Sequence, residues 1–133
     1  MRHDEQRLQQ TVAEYLAWAL APPSIWTAHP LGGGGELRGK IIKSTGARAG
    51  WPDIEIIAND GRFYAIELKS RTGAVRTIQR TTMHAIQVAG GSVAVCRSLD
   101  EVRAQLVAWG IPTRETKPVA PIIRALAADL ASG

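Results

Sequence analysis

The sequence predicts an α/β fold: one domain with a mixed central sheet flanked by helices, in the order αβββαβα. Three observations lead there. Two apolar, β-branched runs, 54–57 and 63–69, are separated by Asn59-Asp60-Gly61, the pattern of a β-hairpin. A helical segment from Arg76 to Ala89 joins the second run to an unbroken apolar stretch, Ser92 to Cys96. Strand, helix and strand in that order make a βαβ unit, which calls for parallel pairing.

The first helix is expected over residues 4–20. Leu8, Val12, Tyr15, Leu16 and Ala19 recur at helical spacing and form one apolar stripe. At about 100° per residue, Glu5 projects toward that stripe and Glu14 away from it. Glu5 therefore faces the body of the domain. It is either part of a site or a favourable negative charge in a helix's first turn. Pro22-Pro23 ends the helix, and Ile25–His29 is a short strand. His29 has two readings, a ligand or base and a plain structural residue. Gly32 to Gly35 form a glycine turn whose bare N–H groups suit an anion. The Gly-x-x-x-x-Gly-Lys-Ser pattern is absent, which disfavours a nucleotide cofactor.

Residues 36–48 carry Arg38, Lys40, Lys43 and Arg48 against Glu36 alone. Leading into a pair of acids, this stretch suits contact with a phosphate backbone. Trp51 either packs under the loop or stacks on a base. In the hairpin, Pro52 blocks further regular pairing and Asp53 opens the first strand. Glu67 and Lys69 fall on one face of the second strand, while Tyr64, Ile66 and Leu68 take the other. An isolated Glu-x-Lys is ordinarily a solvated pair. Here the hairpin brings a second carboxylate alongside, and two carboxylates a few Å apart need a counter-ion. Mg²⁺, a hard cation that takes oxygen ligands, is the natural one.

Ser70-Arg71-Thr72-Gly73 reads as a turn. In the helix after it, Ile78, Thr82, Ala85, Ile86 and Ala89 make the expected buried side. Arg76, Arg80, His84 and Gln87 lie opposite, with Gln79 at the edge, within reach of the charged strand end. Arg71, Arg76 and Arg80 extend the basic surface, and arginine's planar fork matches phosphate. Gly90-Gly91 ends the helix. The unbroken hydrophobicity of 92–96 predicts a central strand buried on both sides. Ser98 and Glu101 form a capping box, followed by an apolar stripe of Leu99, Val102, Leu106 and Trp109. Residues 112–118 read as a polar connector. Residues 121–131 read as a short helix that completes the core or meets a second subunit. The expected division is a functional domain over 1–111 and a connector with terminal helix over 112–133.

Pro52-Asp53, a spacer and Glu67-Leu68-Lys69 match the PD-(D/E)xK nuclease signature. More of the chain resembles one branch of it, the VRR-NUC (virus-type replication-repair nuclease) domain. His29-Pro30-Leu31-Gly32-Gly33 resembles that branch's Pro-Asn-Gly turn, departing from it at Leu31. Gly46 to Asp53 resembles its Gly-x-x-x-Gly-x-Pro-Asp run. Glu5 to Gln9 resembles a first-helix Glu followed by an apolar-Gln pair. Gln79 stands where the family has a helical Gln, and Gly90 to Val95 resembles the last core strand. Glu55 is an added acid in a strand otherwise aliphatic. The likeness covers roughly residues 5–110.

The resemblance implies a restriction-endonuclease-like core and metal-dependent hydrolysis of a phosphodiester. By it, Asp53 and Glu67 hold Mg²⁺, with Mn²⁺ able to substitute and the Leu68 carbonyl as a third ligand. Lys69 neutralises charge developing on the phosphate or positions the attacking hydroxide. Glu5 binds a second ion or orients metal waters, and Gln79 orients a ligand or water. It further implies a homodimer that cuts branched DNA, with four-way Holliday-type junctions foremost. The alternatives are a non-catalytic DNA-binding module and a nuclease for flaps or other nucleic acid. Acids within a basic cleft argue against the first. Aromatic residues at only 5% argue against recognition of single-stranded RNA by stacking.

The chain's 133 residues suit one domain, and 45% hydrophobic residues suffice for a packed core. Sixteen Lys and Arg against twelve Asp and Glu leave a net charge of +4, which suits a polyanionic partner. Cys96 is the one cysteine, so no internal disulfide forms, and its apolar strand makes it a core residue. No run approaches the length of a membrane span, and the polar first residues do not read as a signal peptide. A cytoplasmic place of work is the expectation.

Overall fold

The structure is a computed structural model that describes residues 2–29 and 44–116. Within them the order is helix α1 (Arg2–Ala19), strands β1 (Ile25–Ala28), β2 (Ile54–Ile57) and β3 (Phe63–Leu68), helix α2 (Thr77–Val88), strand β4 (Ser92–Cys96) and helix α3 (Leu99–Ala108). This is the expected αβββαβα series. The strands form one mixed sheet in the order β1-β2-β3-β4. β1 pairs antiparallel with β2 and β2 with β3, while β3 and β4 run parallel. No helix among the described residues is long and apolar enough to cross a membrane.

The hairpin forms where the sequence puts it. Gly61 takes a φ of +83°, which residues with a Cβ rarely adopt, and its N–H donates to the Ala58 carbonyl (2.9 Å). Asp60 Oδ1 accepts from the Arg62 N–H at 3.0 Å and fixes the turn. Alternation then divides the sheet into two faces. Ile54, Ile56, Tyr64, Ile66 and Leu68 join Val12, Leu16, Cys96, Val102 and Leu106 in the main core, against α1 and α3. Each such side chain contributes on the order of 1.5–3 kcal/mol by leaving water. Tyr64 and Trp109 close one side of this core with ring centroids 4.8 Å apart.

The other face carries Phe63, Ala65 and Glu67 and lies under α2. That helix is rotated about its axis relative to what its apolar pattern implied. Thr82 and Ile86 are buried as expected, but so are Gln79 and Met83, while Ile78 and Ala89 are exposed. Two contacts explain the rotation. Gln79 is drawn inward by hydrogen bonds at the sheet end. In addition, the backbone of Ile78 runs against Gly50, where an added Cβ would stand 2.6 Å from the Ile78 carbonyl oxygen. Gly50 also has φ +75°, so glycine is required twice over. Thr82 Oγ1 donates to the Ala49 carbonyl (2.9 Å) and completes this seam.

A second expectation is corrected. Among the described residues β4 is an edge strand, paired with β3 alone, and only its Cys96 is fully buried. Its unbroken apolar run is matched by α2 and α3, which both pack on it, and not by a further strand. β3 is the strand buried on both sides. The capping box at α3 is also modified. Ser98 Oγ accepts from the Glu101 N–H (3.1 Å), but the Glu101 carboxylate takes the Arg97 N–H (2.9 Å).

The start of the expected connector is fixed to the domain. Ile111 and Thr113 are buried, the Arg114 N–H donates to the Ala19 carbonyl (3.0 Å), and Arg114 Nε donates to the Trp18 carbonyl (2.6 Å). α1 has no basic residue in its last turn, and Arg114 supplies that charge from elsewhere in the chain. The expected helix at 121–131 lies outside the described residues.

Candidate active site

The β2–β3 register pairs Ile54 with Ile66, so one step further Asp53 stands opposite Glu67. Asp53 enters this position after the buried Pro52. Its Oδ2 accepts from the Leu68 N–H at 2.7 Å, and its backbone carbonyl accepts from the His29 N–H, also at 2.7 Å. Glu67 is only 2% exposed and Lys69 only 6%. Lys69 Nζ lies 3.5 Å from Glu67 Oε2 on the same face, and the Lys69 N–H extends the parallel ladder by donating to the Cys96 carbonyl at 3.0 Å. Gln79 reaches the same carboxylate from α2: its Nε2 donates to Glu67 Oε2 at 2.7 Å, and its Oε1 accepts from the Arg76 N–H at 2.9 Å. Gln79 thus ties the first turn of α2 to the acid.

The electrostatics of the pair are strained. Burial, and then the charge of Asp53, push the Glu67 carboxyl up to about 8, against which Lys69 pulls only in part. Burial also raises Asp53, with the Leu68 N–H opposing and the charge of Glu5 adding to the push. Each of the two carboxyls is thus held above its ordinary value, chiefly by burial. The donor set fits a hard divalent ion: two facing carboxylates, little solvent and one ammonium short of neutrality. Among the described residues no group of three or more His, Cys, Asp or Glu is gathered as a ligand cage. The pair suits an ion that keeps several waters, as Mg²⁺ does.

Glu5 comes from α1 to the rim of this pair. Its charge is felt at Asp53, and its Oε1 lies 3.1 Å from where a Cβ on Gly73 would stand. It is not a third member of a cage. Leu68 sits between the acids, its N–H committed to Asp53. Arg48, Arg71, Arg76 and Arg80 are all exposed, and Arg80 Nη1 is tied to the Val75 carbonyl at 2.8 Å. Arg38, Lys40 and Lys43 lie outside the described residues.

Glu55 falls on the same sheet face as Asp53 and Glu67, one pleat further along β2. Its Oε1 accepts from Trp51 Nε1 and stands 3.2 Å from His29 Nε2. Trp51 is half-buried and held by its indole N–H. His29 has a structural partner, and its carbonyl accepts from Gln9 Nε2 (2.8 Å).

One residue of the site escaped the sequence reading. Arg97 Nη1 donates to the carbonyls of Ser70 (2.7 Å) and Gly73 (2.6 Å) and so pins the loop that follows Lys69. A signal for it existed. In a parallel pair the residue after β4 emerges beside the residue after β3, at the strand ends where ligands bind in open α/β sheets.

A family model described as the VRR-NUC domain matches residues 3–100, well over half of the chain. The chain belongs to the VRR-NUC family. No curated protein matches the sequence. A solved structure described as a VRR_NUC domain protein superimposes with a TM-score of 0.64 at 19% identity, covering 79% of this chain and 86% of its own. Another, described as a VRR_NUC domain, gives a TM-score of 0.54 at 20% identity, covering 79% of this chain and 95% of its own. At these identities the two structures establish the fold alone, a small α/β domain with a mixed four-stranded sheet flanked by helices. The VRR-NUC match spans the elements that carry Glu5, Asp53, Glu67, Lys69 and Gln79.

Proposed function

We propose that this VRR-NUC protein is a Mg²⁺-dependent, structure-specific DNA endonuclease, with Mn²⁺ able to replace Mg²⁺. One observation carries the reading: half-buried Asp53 and buried Glu67 face each other across β2–β3, with Lys69 3.5 Å from the Glu67 carboxylate. A purely binding module for a polyanion gains nothing from two facing acids, one of them buried, at that place. A divalent cation held there would supply polarisation of the scissile phosphate and a water of lowered pKa near neutral pH.

The chain's own groups have separable tasks. Asp53 and Glu67 would hold the ion, with the Leu68 carbonyl as the third ligand the family resemblance implies. Gln79 holds Glu67 in one orientation through the 2.7 Å bond. Lys69, a compact charge in a dry setting, stabilises charge that develops on the phosphate. Glu5 assists from the rim. Arg48, Arg71, Arg76 and Arg80, with Arg38, Lys40 and Lys43, supply phosphate-backbone contacts. Branched DNA, Holliday-type junctions first, is the substrate the family resemblance favours. A homodimer would place one site on each of two strands. A cytoplasmic place of work goes with this reading.

Labelled four-way junctions, flaps and linear duplexes, incubated with Mg²⁺, Mn²⁺ or chelator, test the proposal alongside the mass in solution. Metal-dependent cutting of junctions by a dimer is expected. Absence of cutting with either ion, or an Asp53→Ala protein as fast as the parent, overturns the enzyme. A monomer that cuts every substrate alike overturns the junction and dimer assignments and leaves the metal site standing.

A further inference from the structure

Lys69 and Gln79 approach the same oxygen of Glu67 from the two ends of one loop. Lys69 Nζ lies 3.5 Å from Glu67 Oε2 just past the end of β3. Gln79 Nε2 donates to that oxygen at 2.7 Å from the first turn of α2. The hold on Glu67 therefore depends on what fixes the segment between them, and Arg97 is placed to do so. The parallel register pairs Glu67 with Val95 and Leu68 with Cys96, and the Lys69 N–H carries the ladder one step on to the Cys96 carbonyl at 3.0 Å. Arg97 leaves β4 at that step, beside Lys69 and two residues on from the partner of Glu67.

Arg97 is anchored at root and tip. Its backbone N–H donates to the Glu101 carboxylate at 2.9 Å. Its Nη1 meets the carbonyls of Gly73 at 2.6 Å, Ser70 at 2.7 Å and Arg71 at 3.5 Å, the last at the limit of a hydrogen bond. Carbonyl dipoles aimed at one point repel each other and call for positive charge at their focus. The guanidinium supplies it, through charge-assisted bonds about twice as strong as neutral ones. Inside this grip the Gly73 N–H closes a turn on the Ser70 carbonyl at 3.2 Å. Lys69 is only 6% exposed and Gln79 only 8%, so a shift of the loop would open both to water.

We propose that Arg97 is a positioning residue: by drawing the Ser70 and Gly73 carbonyls onto one nitrogen it fixes the loop between β3 and α2, and so keeps the Lys69 ammonium and the Gln79 amide on one oxygen of Glu67. Where it concerns the reaction, this rests on the nuclease reading. Arg97 acts through the backbone and makes no contact with substrate. Lys69 needs such a hold because its ammonium is a point charge on a flexible stem. Misplacing a reacting group by about 1 Å can cost on the order of a hundredfold in rate.

The test combines chemical labelling of the full chain in chelator with cleavage of a labelled junction in Mg²⁺. An amine-acetylating reagent, mapped by mass spectrometry, reads the exposure of Lys69. A thiol reagent on Cys96, 2% exposed in the main core, reads general opening of the fold. Arg97→Met keeps an apolar stem and removes the donors. It is expected to acetylate Lys69 about tenfold faster than the parent with Cys96 unchanged. It is also expected to lower kcat about tenfold at unchanged KM. Arg97→Lys, which keeps a charged donor, recovers part of both. Lys69 and Cys96 reacting faster in parallel mark a merely structural role and overturn the proposal, as does Lys69 labelling equal to the parent's. A raised KM at unchanged kcat overturns it too, since Arg97 then binds substrate. Should Arg97→Met fail to fold, Arg97→Gln, too short to span to the loop carbonyls, decides by the same readouts. A parent that cuts nothing sinks the nuclease reading and the catalytic half of this inference, while the labelling still decides the hold on Lys69. A parent that cuts, beside an unaffected Arg97→Met, sinks this inference alone.

Discussion

Glu67 lies at the centre of the sheet with a second carboxyl against it, and Glu115 lies on the surface between two partners. Arg103 grips Glu115 with two nitrogens, at 3.1 and 2.9 Å, and the Tyr15 hydroxyl donates to it at 2.7 Å. Those bonds, Arg103's first, hold the Glu115 carboxyl below its ordinary value, while burial lifts Glu67 to about 8. The surface acid has its charge matched in full and serves to fasten residues 113–116 to α1 and α3. The central acid is left short of positive charge. A fold selected for stability alone has no use for that deficit, whereas the proposed metal site would use it.

The comparison breaks first at cleavage. Glu67→Ala is expected to reduce DNA cutting by at least about a thousandfold, while Glu115→Ala leaves the rate within about twofold. Initial rates on a labelled junction in Mg²⁺ make the measurement. Equal losses in the two variants would mean that Glu67, too, is only a fastening residue.

Stability should move the opposite way. Glu67→Gln keeps an acceptor for Gln79 and removes the charge that burial opposes. With chelator present at neutral pH, that variant is expected to be more stable than the parent by roughly 1–3 kcal/mol in urea unfolding. Adding Mg²⁺ should raise the parent's stability and leave the variant's unchanged. A variant less stable than the chelated parent would show that the Lys69 ion pair outweighs desolvation.

Much of this contrast can be read in the sequence, and the unread part has a common cause. Asn59-Asp60-Gly61 announces a hairpin, and alternation along it puts Asp53, Glu67 and Lys69 on one face. Periodicity alone turns Glu5 inward and Glu14 outward, as the structure has them. What failed depended on partners distant in the chain. An unbroken apolar strand does not say whether strands or helices cover it, so β4 was expected at the centre and lies at the edge. The apolar pattern of α2 puts Ile78 inside, but Gly50 and the Gln79–Glu67 bond rotate the helix. Arg114 and Glu115 resemble loop residues until α1 offers them its last carbonyls and Tyr15. Their charges carry no periodic signal.

The two acids also predict opposite slopes with pH. For Glu67 the folded value, about 8, stands above the ordinary 4.5. The folded state then holds a proton the unfolded chain has lost. Its contribution is complete below pH 4.5 and disappears as pH rises toward 8. Metal-free protein should therefore lose stability across that window, and Glu67→Gln should flatten the loss. Urea midpoints at pH 5, 6.5 and 8 in chelator test this. A parent whose midpoint is level or rising there, with the variant tracking it, would show that Glu67 is already ionised when folded.

The smallest effect belongs to the surface acid. Because the folded value of Glu115 is lowered, its contribution is present above the ordinary carboxylate value and is lost as pH falls through the folded one. Exposure and screening keep it minor, in the range of ordinary surface pairs. Glu115→Gln should shift the urea midpoint slightly at pH 7 and not at all near pH 2. The shift should shrink in molar salt, because the Arg103 pair is open to solvent. Arg103→Gln in the same background should add almost nothing, since either substitution alone removes the pair. Additive losses would mean that Arg103 holds the domain through Asp100, 3.0 Å from its Nη1, and that Glu115 is fastened chiefly by Tyr15.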